Sequence, residues 1–200
     1  ARLKEREAQV LFAAIKALAS AVDAKDPYTA RHSTDVARLA LALVASLGIG
    51  SGEGYVLELA AWMHDVGKIG VPDTILTKPA ALNETEMILI RAHPVTGSEI
   101  VGQIPELRAV ATAIRHHHER FDGRGYPDGL AGNAIPLSSR IIAVADAFEA
   151  MTANRSYRRG MPVERAVAEL EKHRGAQFDP LLTDVFVREV LPAVTGAAYA

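Results

Sequence analysis

Residues 57–68 read Leu57-Glu58-Leu59-Ala60-Ala61-Trp62-Met63-His64-Asp65-Val66-Gly67-Lys68. An apolar run broken only by Glu58 suits a buried helix and is far short of the ~20 residues a membrane span needs. It opens directly onto an imidazole, a carboxylate and, past a glycine, an ammonium. A lone His-Asp pair is explained well enough by a hydrogen-bonded helix end. This pair has company. His117-His118 follows a second apolar helix at 107–114, and Asp146 lies inside Ile141-Ile142-Ala143-Val144-Ala145-Asp146-Ala147-Phe148. A carboxylate among so many apolar residues is costly unless it coordinates a metal or accepts strong hydrogen bonds.

His32 and His93 bring the set to five histidines and two aspartates, more than one four- to six-coordinate metal uses. Two metals sharing Asp65 as a bridge account for all of them. Imidazole and carboxylate ligands without sulfur suit Fe, Mn, Zn or Co. Such a pair activates water at neutral pH and neutralises charge on phosphoryl oxygens. Successive helical residues point ~100° apart, so His116 is left out of the cluster beside His117 and His118. His173, next to Arg174 and Gly175, reads as a surface residue at a helix end.

Around these residues the pattern is helical. Val10, Ala14, Leu18 and Val22 recur at helical spacing over 3–22, and further helices are expected at 28–47, 51–64, 105–118, 138–152, 162–172 and 180–190. Asn83 with Glu86 forms a capping box for a helix that Pro94 ends or bends, and Asp179 caps a helix with Pro180 in its first turn. Gly70, Pro72 and Pro79 make 67–81 a loop with at most a short turn. Asp122-Gly123-Arg124-Gly125-Tyr126-Pro127-Asp128-Gly129 cannot continue a helix, so 121–136 is a long loop, a length usually kept for function. The expected fold is all-α, with roughly seven to eight helices.

The 200 residues suffice for one core, and 49% of them are apolar with few aromatics, a balance that favours packed helices. A net charge of −2 argues against bulk electrostatic binding of a nucleic acid polymer. No cysteine is present, which excludes disulfides and thiolate sites. No signal peptide or membrane span is visible, and a cytoplasmic protein is expected. The charged opening Arg2-Leu3-Lys4-Glu5-Arg6-Glu7 after Ala1 suggests a piece of a longer chain, with 1–25 as a connector helix and 26–200 as the catalytic domain.

The ordered motifs resemble the HD-GYP subgroup of the HD phosphohydrolases. His64-Asp65 with Gly67-Lys68 and His117-His118-Glu119-Arg120-Phe121-Asp122-Gly123-Arg124-Gly125-Tyr126-Pro127 carry the likeness. It extends through Asp26-Pro27-Tyr28-Thr29, His32-Ser33, His93-Pro94, Val144-Ala145-Asp146 and Arg155-Ser156-Tyr157-Arg158. The resemblance implies an HD-domain helical bundle, two divalent transition metals (Fe or Mn) and hydrolysis of cyclic di-GMP to linear pGpG, in some members onward to GMP. By position, His32, His64, Asp65 and Asp146 would hold one metal, and Asp65, His93, His117 and His118 the other. Asp65 and Lys68 would be catalytic, Lys68 lying near the scissile phosphate, with Arg155 and Arg158 on the dinucleotide. Some members hold a third metal through a glutamate one turn before the first histidine. Tyr28 stands there, which points to a binuclear centre.

The Gly125-Tyr126-Pro127 loop has two readings: a substrate groove or docking surface for a diguanylate cyclase domain, or a brace with the tyrosine ring packed beneath the metal-bearing helix end. An upstream receiver or sensory domain and a homodimer formed through helices are further expectations. The rivals to cyclic di-GMP hydrolysis are a non-catalytic module that senses the dinucleotide, and a phosphodiesterase for another cyclic dinucleotide such as cyclic GMP-AMP.

Overall fold

The computed structural model describes residues 2–25, 31–154 and 159–196, and among these it is helical throughout with no strand. Tyr28, Arg155 and Arg158 lie outside the described residues. Helix α1 (Arg2–Lys25) packs on α2 (His32–Leu47) and α3 (Ser51–Met63), and α3 ends just before His64. A 3-10 turn at Val66–Gly70 and the single turn α4 (Asp73–Leu76) follow, then α5 (Glu84–Arg91), α6 (His93–Gly102) and α7 (Arg108–Arg115). Beyond the long loop come α8 (Leu137–Thr152), α9 (Val163–Lys172) and α10 (Pro180–Val185). A π turn, Phe186–Val190, leads from α10 into α11 (Leu191–Thr195).

The core lies where α2, α3, α7 and α8 meet, around Leu43, Leu57, Leu59, Ile114 and Ile142, each at most 1% exposed. Burying side chains of this size contributes about 1.5–3 kcal/mol apiece. Phe186 closes the far side edge-on against Phe148, ring centroids 5.3 Å apart. Ser139 Oγ donates to the Ala113 carbonyl at 2.9 Å, tying α8 to α7.

Two sequence expectations need correction. The buried stripe of α1 is Ile15, Ala19 and Val22, whereas Val10, Ala14 and Leu18 are exposed. The helix is so rich in alanine that apolar periodicity fits more than one face. Pro94 does not merely end a helix. It sits in the first turn of α6, where a missing N–H costs nothing, and α6 is the long helix that the sequence reading lacks. The capping box at Asn83 and Glu86 forms as expected, and Asp179 accepts from the Leu181 and Leu182 amides ahead of Pro180.

The end of α1 is bound to its neighbours by polar contacts. Asp23 Oδ1, on a residue 7% exposed, accepts from Ser33 Oγ at 2.8 Å. Lys25 Nζ donates to the carbonyls of Ile69 at 3.0 Å and Val71 at 2.7 Å, with Lys68 O at 3.4 Å.

Candidate metal centre

The candidate ligands come from five places: the first residue of α2 (His32), the turn after α3 (His64, Asp65), the start of α6 (His93), the turn after α7 (His117, His118) and the middle of α8 (Asp146). They converge. His32, His64 and Asp65 form one group and His93, His117 and His118 another, the donor atoms in each lying within 4.8 Å of one another. Asp65 joins the two. Its Oδ1 is 3.3 Å from His93 Nε2, while its Oδ2 is 3.6 Å from both His32 Nε2 and His64 Nε2. Asp146 Oδ1 approaches His32 Nε2 at 3.3 Å.

The protonation pattern follows from the partners on the other side of each ring. His64 Nδ1 lies 2.8 Å from the Ala61 carbonyl, His93 Nδ1 2.7 Å from Ile90 O and His117 Nδ1 2.6 Å from Ile114 O. A carbonyl only accepts, so each Nδ1 carries a hydrogen, and the neutral tautomer with that hydrogen turns an Nε2 lone pair inward. Three of these contacts reach back three residues to the helix preceding the histidine, which is why the rings follow helix ends. His32 differs, since its Nδ1 donates to Glu149 Oε2 at 2.5 Å.

His64 Nε2 lies 3.1 Å from His32 Nε2, and on the other side two bare nitrogens face each other, His93 Nε2 and His117 Nε2 at 3.2 Å. Acceptors this close need a cation between them. Metal–nitrogen bonds of about 2.0–2.2 Å place neighbouring ligands about 3–3.5 Å apart, so the donor set fits a metal at each group. Protons fit the second group poorly. Burial pushes His93 down and His117 well down, and His118 falls to about 4. Burial alone would also lower His32, yet hydrogen bonds to Asp146 and Glu149 outweigh it and raise it to about 10. Burial works against ionising Asp65 and Asp146, but neighbouring charges and hydrogen bonds reverse it. Lys68 and the histidines hold Asp65 well below the usual carboxylate range, and His32 does the same for Asp146.

Lys68 Nζ meets Asp65 Oδ2 at 2.6 Å, placing the ammonium at the edge of the cluster. Its position depends on Gly67. A Cβ there would lie 1.9 Å from the His93 carbonyl oxygen and 2.5 Å from Gly97 N, so the turn bearing Asp65 rests directly on the backbone of α6.

The long loop is ordered against the same centre. Tyr126 stacks on His118 with ring centroids 5.0 Å apart and planes 29° apart, and its amide reaches the His118 carbonyl at 3.3 Å. Gly125 permits this, because a Cβ would fall 2.3 Å from Arg120 N. Buried Glu119 accepts the Asp128 and Gly129 amides on Oε1 at 2.7 and 3.0 Å, while its Oε2 has no hydrogen-bond partner among the described residues. α7 stops at Arg115 rather than running to 118. Arg115 and His116 are both drawn outward to Asp128, at 2.7 and 2.9 Å, and His117 and His118 turn inward instead. His173, its nearest acid Glu169 at 3.7 Å, sits partly exposed and apart from the cluster.

A hollow of about 660 Å³ bounded by residues such as Val56, Leu57, Leu137 and Ile141 contains none of these side chains.

Residues 15–182 match the family model described as HD domain, a span that takes in every candidate ligand, and the cluster is followed by the Gly125-Tyr126-Pro127 loop. The chain belongs to the HD family, in its HD-GYP branch. This HD-GYP domain is 39% identical over 188 residues to the cyclic di-GMP phosphodiesterase response regulator RpfG of Xanthomonas campestris, covering 93% of the chain and 49% of RpfG. It is also 39% identical over 166 residues to 3'3'-cGAMP-specific phosphodiesterase 3 of Vibrio cholerae, covering 83% of the chain and 36% of that protein. The HD-GYP domain thus spans about half the length, or less, of these curated relatives. A crystal structure of a cyclic GMP-AMP-specific phosphodiesterase from V. cholerae superposes with a TM-score of 0.67 at 20% identity, over 90% of this chain and 50% of that one.

Sequence reasoning missed Glu149 and Glu119. Glu149 stands three residues after Asp146, on the same face of α8, and that spacing is the signal that could have found it. Glu119 directly follows two candidate ligands, yet nothing in the sequence distinguishes it from a solvated acid. No helix among the described residues is long and apolar enough to cross a membrane.

Proposed function

We propose that this domain is a metal-dependent phosphodiesterase that opens cyclic di-GMP to linear pGpG. The observation that carries the reading is the Asp65 carboxylate, one oxygen turned to each histidine group. His32, His64 and Asp146 would hold one divalent ion, Fe or Mn, and His93, His117 and His118 the other, with Asp65 shared. When bound, the ions supply Lewis acidity and a nucleophilic water at neutral pH.

The chain's own residues do the rest. The carbonyls of Ala61, Ile90 and Ile114 and the Glu149 carboxylate fix the rings of His64, His93, His117 and His32 with Nε2 inward, so these four need not reorganise on loading. Lys68 swings from Asp65 to a phosphoryl oxygen and stabilises the negative charge that develops there. Arg155 and Arg158 orient the rest of the dinucleotide. Tyr126 holds the His118 ring from behind, which favours the bracing role of the loop.

The equal identity to RpfG and to a cGAMP-specific enzyme makes cyclic GMP-AMP the competing substrate, since a metal centre recognises phosphate rather than base. The test is metal content after anaerobic purification, followed by time courses of cyclic di-GMP, pGpG and GMP with cyclic GMP-AMP run alongside. Asp65→Ala should keep its helical spectrum and lose turnover. Full activity in that variant, or binding of the dinucleotide with no linear product under Mn and Fe, would refute the reading.

A further inference from the structure

Arg91 occupies the last turn of α5, two residues before the candidate ligand His93. Its side chain is exposed, and no carboxylate pairs with it among the described residues. The guanidinium carbon lies 5.4 Å from the centre of the Tyr126 ring. Tyr126 in turn stacks on His118 at 5.0 Å. The three groups form a file leading outward from the metal cluster, ending in a cation.

A cyclic dinucleotide carries two phosphates in one ring. With one at the metals and Lys68, the other is held a fixed step away, where a further counter-charge would act beside Arg155 and Arg158. A guanidinium is suited to that, because its planar fork grips phosphate oxygens in pairs while its face rests on an aromatic ring. We propose that Arg91, carried on the Tyr126 ring, is a substrate-binding residue that takes the non-scissile phosphate of the cyclic dinucleotide. This rests on the phosphodiesterase reading above. The simpler role for an arginine in this place is to complement the dipole of α5 and to prop Tyr126, which would act through His118 and the metal alone.

The two roles separate with two substrates. Bis(p-nitrophenyl) phosphate has a single phosphodiester and no second phosphate. Metal-loaded wild type, Arg91→Ala and Arg91→Lys are assayed on it and on cyclic di-GMP, with metal content measured for each. Arg91→Ala should raise KM for cyclic di-GMP about 10- to 100-fold, the scale of a lost charged hydrogen bond, with a far smaller change on the small ester, wild-type metal content and partial recovery in Arg91→Lys. An unchanged KM for cyclic di-GMP would overturn the proposal, as would parallel losses on both substrates accompanied by metal loss. If the wild type turns over neither substrate, the phosphodiesterase reading fails on its own, and calorimetric titration of cyclic di-GMP decides Arg91. Weaker binding to Arg91→Ala than to wild type sustains it, while equal or absent binding to both removes it.

Discussion

Substituting Gly67 by alanine tests whether the Asp65 turn must lie on the α6 backbone. The added Cβ would stand 1.9 Å from the His93 carbonyl oxygen, about 1.5 Å inside the 3.4 Å at which ordinary contact begins, with Gly97 N at 2.5 Å. Both obstacles are backbone atoms, so no side-chain rotation relieves them. The turn carrying Asp65 and the start of α6 carrying His93 must separate. Overpacking of this kind costs about 3 kcal/mol, the upper end of its usual range, which lowers Tm by about 6–12 °C for a chain of this size. A displacement near 1 Å at the ligands costs about 100-fold in rate. Gly52→Ala is the matched control. That residue is in the first turn of α3 with nothing within 4 Å of its Cβ position, so its Tm should hold or rise slightly. Calorimetry, metal analysis and turnover on all three proteins check the argument. A Gly67→Ala protein with wild-type Tm and full metal content would refute it.

Glu149→Ala should weaken metal binding about 10- to 100-fold, the usual effect of removing a partner behind a ligating histidine, because His32 Nδ1 loses its acceptor. Competition with a chelator measures this, and unaltered affinity would count against the role. Asp179→Ala leaves partly buried Arg140 without its carboxylate and uncaps α10, for an expected loss of about 3–5 kcal/mol in urea unfolding. Asp179→Asn keeps the cap and should lose less. Stability of the chelated protein should peak near pH 6.5. Unfolded histidines take up protons below that value, whereas burial keeps His93, His117 and His118 from doing so when folded, so stability falls as pH drops toward about 4. His32 acts on the other limb. Its folded value of about 10 gives stability that is complete below 6.5 and lost as pH rises through 10. A Tm that climbed steadily across both limbs would contradict these assignments.

Most of the centre was legible because its residues violate their surroundings. His64, Asp65 and Asp146 are polar groups set in apolar runs, and burying them demands a partner that sequence alone can announce. The helix ends at Asn83 and Asp179 were legible because capping is local chemistry. Other features depend on tertiary context. Which face of α1 enters the core cannot be read when alanine occupies most of its turns. Pro94 stops one helix or starts another depending on where the preceding one ends. Glu149 and Glu119 look like solvated acids until the fold closes over them, and the end of α7 at Arg115 depends on Asp128, thirteen residues on.

The last turn of α1 touches two candidate ligand-bearing segments from outside. Asp23 clasps the residue after His32, and Lys25 gathers the carbonyls that follow Asp65 and Lys68. The helix end is therefore a strut shared by two ligand-bearing segments, added to the packing of α2 on α3. Sliding α1 along its axis by one residue, about 1.5 Å, would pull on both at once, so the spacing of the metal ligands and the axial position of this helix form one mechanical variable.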